Sequence, residues 1–220
     1  MKTLPLLFLT LLLPLLPAAR AASIYVDFGP NATVADSITW NSVTTYSTGV
    51  KVADLRTTTN QSTNYGLTLT TNAFVGDVGD GPTNLTPVAN YRDGFYGALT
   101  GTPNNPTVFT LTGLDPALTY TFTFFGTVDR TGTRGTRYTV GDPGNYSELE
   151  TNDNVNTWSA PISASPDTNG NLTVTLSRAS FNADQSYIIN VMRVDFVPEP
   201  SAALLSGLGL ITLLSRRTRA

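Results

Sequence analysis

Phe109-Thr110-Leu111-Thr112-Gly113-Leu114-Asp115-Pro116-Ala117-Leu118-Thr119-Tyr120-Thr121-Phe122-Thr123-Phe124 is two alternating runs joined by a turn. Phe109 and Leu111 share one side of an extended chain, as do Leu118, Tyr120, Phe122 and Phe124, with threonine at every position between them. Successive side chains of a strand point to opposite faces, so this spacing buries one face and wets the other. Gly113, Asp115 and Pro116 supply the backbone freedom and fixed φ that turns require. The stretch therefore predicts a hairpin, the clearest in the chain.

The same period recurs on either side. Ile24, Val26 and Phe28 alternate with Tyr25 and Asp27 before Gly29-Pro30-Asn31, and Leu172, Val174 and Leu176 alternate with threonines. Tyr187 to Phe196 is richer in apolar residues, as expected of a central strand covered on both faces. Further strands are predicted over 38–43, 66–70, 73–76, 136–140 and 158–162, while 76–106, rich in Gly, Pro and Asn, reads as a long loop. No helical period stands out between the chain ends. About ten short strands with frequent turns predict an all-β, two-sheet β-sandwich.

Composition excludes several activities. The chain has no cysteine and no histidine, so disulfides, thiolate metal sites, Ser-His and Cys-His nucleophiles and histidine-containing metal centres are ruled out. From Ser23 to Phe196 there are eight basic and fifteen acidic side chains, a net charge of −7, which argues against nucleic acid as a partner. Threonine, asparagine, glycine and serine fill most polar positions. Five Asn-x-Ser/Thr triplets, at Asn31, Asn60, Asn84, Asn145 and Asn171, follow from that composition and are given no function.

Both ends carry sorting signals. Lys2 followed by an apolar stretch from Leu4 to Leu16 and by Ala19-Arg20-Ala21 has the form of a signal peptide over 1–21, cleaved after Ala21. About 175 residues, 22–196, then make one domain, large enough to bury roughly 70% of its unfolded surface. Val197-Pro198-Glu199-Pro200, an uncharged apolar run from Ser201 to Ser215, and Arg216, Arg217 and Arg219 close the chain over 197–220. Fifteen residues of helix span roughly 22 Å, short of the roughly 30 Å hydrocarbon core, and the arginines are expected on the cytoplasmic side.

This tail resembles the PEP-CTERM sorting signal of bacteria that secrete exopolysaccharide. The resemblance implies an exosortase-type processing enzyme and the secretion translocon as partners. It also implies an inner-membrane precursor held by its C-terminal helix, and a mature form at the cell surface or outside the cell. The body supports a second resemblance. Tyr25-Val26-Asp27-Phe28-Gly29, Thr39-Trp40-Asn41-Ser42-Val43, Phe109 to Pro116, Tyr120 to Gly126 and Arg134 to Val140 look like successive blocks of an exported bacterial module. In outline that module is similar to galactose-binding-like and malectin-like jelly rolls. The likeness implies a jelly-roll-like sandwich and glycans as a ligand class, with no established activity.

Site candidates follow. Two carboxyl groups suffice for glycoside hydrolysis, and Glu148 with Glu150, or Asp77 with Asp80, are the pairs at hand. Both lie in polar, turn-rich sequence where solvated carboxylates are expected, so the chain is read as a non-enzyme. Asp77 and Asp80, in the glycine loop Gly76 to Gly81, form a candidate calcium site, with solvated aspartates as the alternative. The G-x-x-G-x-G spacing there precedes Pro82 rather than a helix, so it does not cradle phosphate. By analogy with sugar-binding jelly rolls that hold a structural ion near their chain ends, Asp27 and Asp195 form a second candidate; no other cofactor is expected.

Sugar binding needs aromatic faces and a few polar groups that fix hydroxyls. Tyr91, Arg92, Asp93 and Tyr96 offer both within one loop, and Trp158, Asp129 and Arg130 are further candidates. The alternative is that Phe95, Tyr96 and Trp158 plug the core, where Trp40 is also expected. The function read from sequence is thus a non-catalytic, polysaccharide-associated exported module. A structural surface protein without ligand, or a carboxylate-dependent glycosidase or lyase, are the alternatives.

Overall fold

The computed structural model describes residues 21–30, 38–78, 93–98, 105–183 and 186–197. Ala19 and the tail residues Pro198, Glu199, Pro200, Arg216, Arg217 and Arg219 lie outside them, while Ala21 and Val197 are described and exposed. In chain order the strands are β1 (Ala22–Phe28), β2 (Asn41–Val43), β3 (Lys51–Val52), β4 (Gly66–Thr71), β5 (Phe74–Asp77), β6 (Phe95–Ala98) and β7 (Thr107–Thr112). There follow β8 (Tyr120–Phe125), β9 (Gly135–Val140), β10 (Tyr146–Glu150), β11 (Ile162–Ala164), β12 (Leu172–Arg178), β13 (Ser186–Ile189) and β14 (Val191–Phe196). The fold is all-β, and among the described residues no helix is long and apolar enough to cross a membrane.

Two large sheets form a sandwich. One runs β11-β8-β14-β1-β2, the other β10-β9-β12-β7-β4-β3, and a small sheet β13-β6-β5 adjoins them. All pairs are antiparallel except β1 with β2. The core is built from one face of each large sheet: Ile24, Val26, Phe122, Phe124, Met192 and Val194 meet Leu67, Phe109, Leu111, Tyr138, Val174 and Leu176, all buried. Rings interlock across it, Phe28 on Phe109 at 5.0 Å and Phe124 stacked on Tyr138 at 4.4 Å. The compact unit runs from Ala22 to Phe196.

The predicted hairpin does not form. Phe109 of β7 faces Val174 of β12 and Leu69 of β4, whereas Phe122 of β8 faces Val194 of β14 and Ile162 of β11. The two runs thus lie in opposite sheets, and Gly113 to Thr119 arches over one end of the sandwich. Alternation reveals that each strand has one buried face; it does not say which neighbour supplies the hydrogen bonds. The arch is anchored by Tyr120, whose buried hydroxyl accepts the Asp115 N–H at 2.9 Å and donates to the Tyr65 hydroxyl at 3.0 Å. Gly113 sits there at φ 75, and a Cβ would meet the Asn64 carbonyl oxygen at 2.9 Å, so only glycine turns this corner without strain.

Three strands escape the sequence pattern. β3 is too short to show a period; β10 is an edge strand whose Tyr146, Glu148 and Glu150 read as polar loop; β6 lies inside the expected loop 76–106. The apolar run Tyr187 to Phe196 is two strands, broken at Asn190. That residue is fully buried and satisfied: its N–H reaches the Phe125 carbonyl, its C=O takes the Phe28 N–H, Oδ1 accepts the Thr127 N–H and Nδ2 donates to the Asp93 carbonyl. The switch sends β13 into the small sheet and β14 into the middle of the five-stranded one.

Candidate functional site

The two faces of the five-stranded sheet differ in kind. Its inner face is core. On the outer face the register sets three rows across the strands: Ser163, Thr121, Asp195 and Ser23; then Thr123, Arg193 and Tyr25; then Phe125, Val191, Asp27 and Ser42. The third row is closed by Phe125 and Val191, both buried, and three larger rings, Tyr25, Trp40 and Trp158, pack over them partly buried.

Each ring is delivered by a local device. Tyr25 lies between Ile24 and Val26 on β1, so the alternation that buries those two turns it outward. Trp40 precedes β2, where Asn41 is held from both sides: its Nδ2 donates to the carbonyls of Tyr25 and Arg56, each at 2.9 Å, and its Oδ1 accepts the Arg56 N–H at 2.8 Å. Trp158 follows a turn organised by buried Asn154, whose Nδ2 donates to the Gly126 and Thr157 carbonyls and whose Oδ1 takes the Thr157 N–H. Ser159 then binds both the N–H and the C=O of Phe124, which docks Trp158 beside the sheet, 5.6 Å from Phe125.

The rings touch edge to face. Tyr25 lies 5.0 Å from Trp40 with planes at 63° and 6.4 Å from Trp158 with planes at 89°, contacts worth about 0.5–1.5 kcal/mol each beyond burial. The Arg193 guanidinium carbon is 5.8 Å from the Tyr25 centroid, inside cation–π range. Arg193 is held in that position by Asp195, two residues along the same face: Nε lies 3.0 Å from Oδ1 and 2.8 Å from Oδ2. Ser23 donates its hydroxyl to the same carboxylate. Beyond it, Thr121 and Ser163 bond hydroxyl to hydroxyl at 3.1 Å. The face thus combines aromatic surface, one fixed guanidinium and a row of hydroxyls.

Of the residues singled out from sequence, this face holds Trp158, Asp27 and Asp195. Trp158 packs, partly buried, on Phe125 and Val191 and completes the aromatic group. Asp27 and Asp195 point to the same side but lie four positions apart along the β1–β14 register, with Ser23 opposite Asp195 and Val191 opposite Asp27. At about 3.3 Å per residue that is roughly 13 Å, too far for one ion to bridge both carboxylates. Among the described residues no group of three or more carboxylates converges as metal ligands.

The remaining candidates are scattered. Asp77 ends β5, exposed, opposite Phe95, and its proposed partner Asp80 is outside the described residues, as are Tyr91 and Arg92. Asp93 is buried against Gly29, where a Cβ would come within 2.5 Å of its carboxylate. Tyr96, partly buried, packs with Val78, Val128 and Ile188 in a satellite cluster. Asp129 and Arg130 are exposed in the loop after β8. Glu148 is locked in a network with Arg137 (2.6 Å) and with the N–H and hydroxyl of Ser180. Burial works against its charge, but these donors prevail and hold its carboxyl below the usual glutamate range, the opposite of what a general acid needs.

Sequence reasoning missed Tyr25, Trp40, Arg193 and Ser23. The available signal was an aromatic and a cation at the polar phase of otherwise regular strands, Ile24-Tyr25-Val26 and Met192-Arg193-Val194. Trp40 reads as a core residue with Ile38; β2 begins only at Asn41, and the indole packs, partly buried, on Phe125 and Val191 at the outer side of the sheet.

No protein-family model matches the chain, and no curated protein does. Among solved structures it is similar to a family 35 carbohydrate-binding module from an environmental isolate, at 19% identity over 58% of this chain and 88% of that one, with a TM-score of 0.33. It is similar to the family 35 module from Cellvibrio japonicus Abf62, at 18% identity over 58% and 91%, TM-score 0.32. It also resembles the family 22 xylan-binding domain from Paenibacillus barcinonensis Xyn10C, at 12% identity over 47% and 80%, TM-score 0.28.

Proposed function

We propose that this chain is an exported, non-catalytic polysaccharide-binding protein that engages glycan through the outer face of its five-stranded sheet. The observation that carries the reading is the partly buried outer group Tyr25, Trp40 and Trp158, positioned by buried asparagines and flanked by Arg193 and a hydroxyl row. Two tryptophans on the outer side of a sheet keep part of their ring surface open to solvent. Their ring faces suit the apolar C–H faces of sugars, and the neighbouring hydroxyls and guanidinium suit the sugar hydroxyls. The signal-like segment 1–21 and the PEP-CTERM-like tail 197–220 support export through the translocon, processing by an exosortase-type enzyme, and a mature form at the surface or in the extracellular matrix.

Titration of the purified protein against the host's exopolysaccharide and a glycan array, read by tryptophan fluorescence and by retention, tests this reading. Binding is expected, and Trp158→Ala is expected to weaken it by about 30-fold or more, the loss that marks an interface anchor. No retention on any glycan, or binding that Trp158→Ala leaves intact, overturns the assignment.

A further inference from the structure

We infer that the outer face of the five-stranded sheet takes an uncharged glycan, as a free chain rather than a crystalline surface, and rejects polyuronates. This rests on reading that face as the glycan-binding surface. The strands of the sheet carry a single cation, Arg193, and two anions, Asp27 and Asp195. The cation is engaged: its Nε lies within 3.0 Å of both oxygens of Asp195, and that carboxylate is held by the Ser23 hydroxyl as well. A sugar carboxylate approaching Arg193 would meet Asp195 at contact range, and like charges there repel. The domain's net charge of −7 extends the repulsion over the Debye length, about 10 Å at 0.1 M salt.

What the face offers instead is neutral. Tyr25, Trp40 and Trp158 present ring surface, and Thr121, Ser163 and Ser23 present hydroxyls in the row two residues along the strands from that of Tyr25. The ring planes are turned by 63° and 89° at Tyr25, so its ring shares a plane with neither indole and the three do not form one flat platform for an array of sugars. A free chain can rotate at each linkage and follow them; a crystal face cannot.

Affinity electrophoresis of the full-length protein at low salt, in gels carrying mixed-linkage β-glucan, galactomannan, dextran or polygalacturonate, tests this, with a pull-down on microcrystalline cellulose alongside. At least one neutral polymer is expected to retard the protein at a concentration at least about tenfold below any effect of polygalacturonate, and cellulose is expected not to retain it. Asp195→Asn frees the guanidinium and is expected to create retardation by polygalacturonate. Glu150→Gln, the same charge change on exposed β10 of the other sheet, is expected not to. Thermal melts verify that both variants fold.

Stronger retardation of the wild type by polygalacturonate than by every neutral polymer, or retention on cellulose, overturns the inference; if Trp158→Ala abolishes that binding, the site itself stands. Equal gains from Asp195→Asn and Glu150→Gln overturn the role given to Asp195. Retardation by no polymer, or retardation insensitive to Trp158→Ala, removes the site and the inference together.

Discussion

Glu148 shows how one side chain can change meaning between sequence and structure. Two glutamates at i and i+2 read as a possible catalytic pair, yet Glu148 is spent on Arg137 and Ser180, and the Arg137 guanidinium also stacks 4.3 Å over Tyr146. The cluster ties β9, β10 and the loop after β12 together. Glu148→Gln keeps the shape and removes the charge, and is expected to cost about 1 kcal/mol at neutral pH, a hydrogen-bonded pair discounted for partial exposure. Because the folded-state pKa is lowered, the contribution is full above the unfolded glutamate value and is lost as pH falls through the folded one. Urea melts of both proteins should therefore differ at pH 7 and converge in acid; a gap that persists or widens on acidification would refute the electrostatic account.

At the scale of elements, β6 is the instructive strand. Phe95-Tyr96-Gly97-Ala98 sits between Gly, Pro and Asn-rich segments with no long alternation of its own, and it is a strand because β5 and β13 flank it. Gly97 pairs with Tyr187, whose ring lies across the place where a side chain would be: a Cβ on Gly97 would meet it at 2.1 Å. Tyr187 in turn bonds the Thr107 hydroxyl at 2.9 Å and packs on Phe74. Gly97→Ala is expected to destabilise by about 2–3 kcal/mol, since overpacking a tight core forces the ring out of its rotamer. A chemical melt within about 0.5 kcal/mol of wild type would mean the ring is free to move aside. This also marks what was legible. Strands that bury one face, such as β1, β7, β8 and β12, announce themselves by period; β6 and β10 depend on partners supplied by distant segments. The same holds for the candidate site. Trp158 stands out by its chemistry, but its grouping with Tyr25 and Trp40 depends on which strands adjoin, and the reassignment of β7 and β8 to opposite sheets shows that pairing is what a one-dimensional pattern lacks.

Across the compact unit, its first and last strands meet in the five-stranded sheet: β14 lies between β8 and β1, and Ala22 faces Phe196 in register. Met192, Val194 and Phe196 fill the core from that strand, so β1 and β8 have neither a common neighbour nor a complete inner face until the last residues of the domain arrive. Loop closure over such a separation must precede the contacts that repay it, and all-β domains of this kind fold in milliseconds to seconds. Refolding from urea followed by tryptophan fluorescence is expected to show its main phase in that range. A protein ending at Asn190 is expected to show no cooperative urea transition, because its loss exposes two strand edges and removes three core side chains at once. A sharp transition in the shortened protein, with wild-type fluorescence from Trp158 and Trp40, would show that the sheet closes without its central strand and would refute this account of the fold.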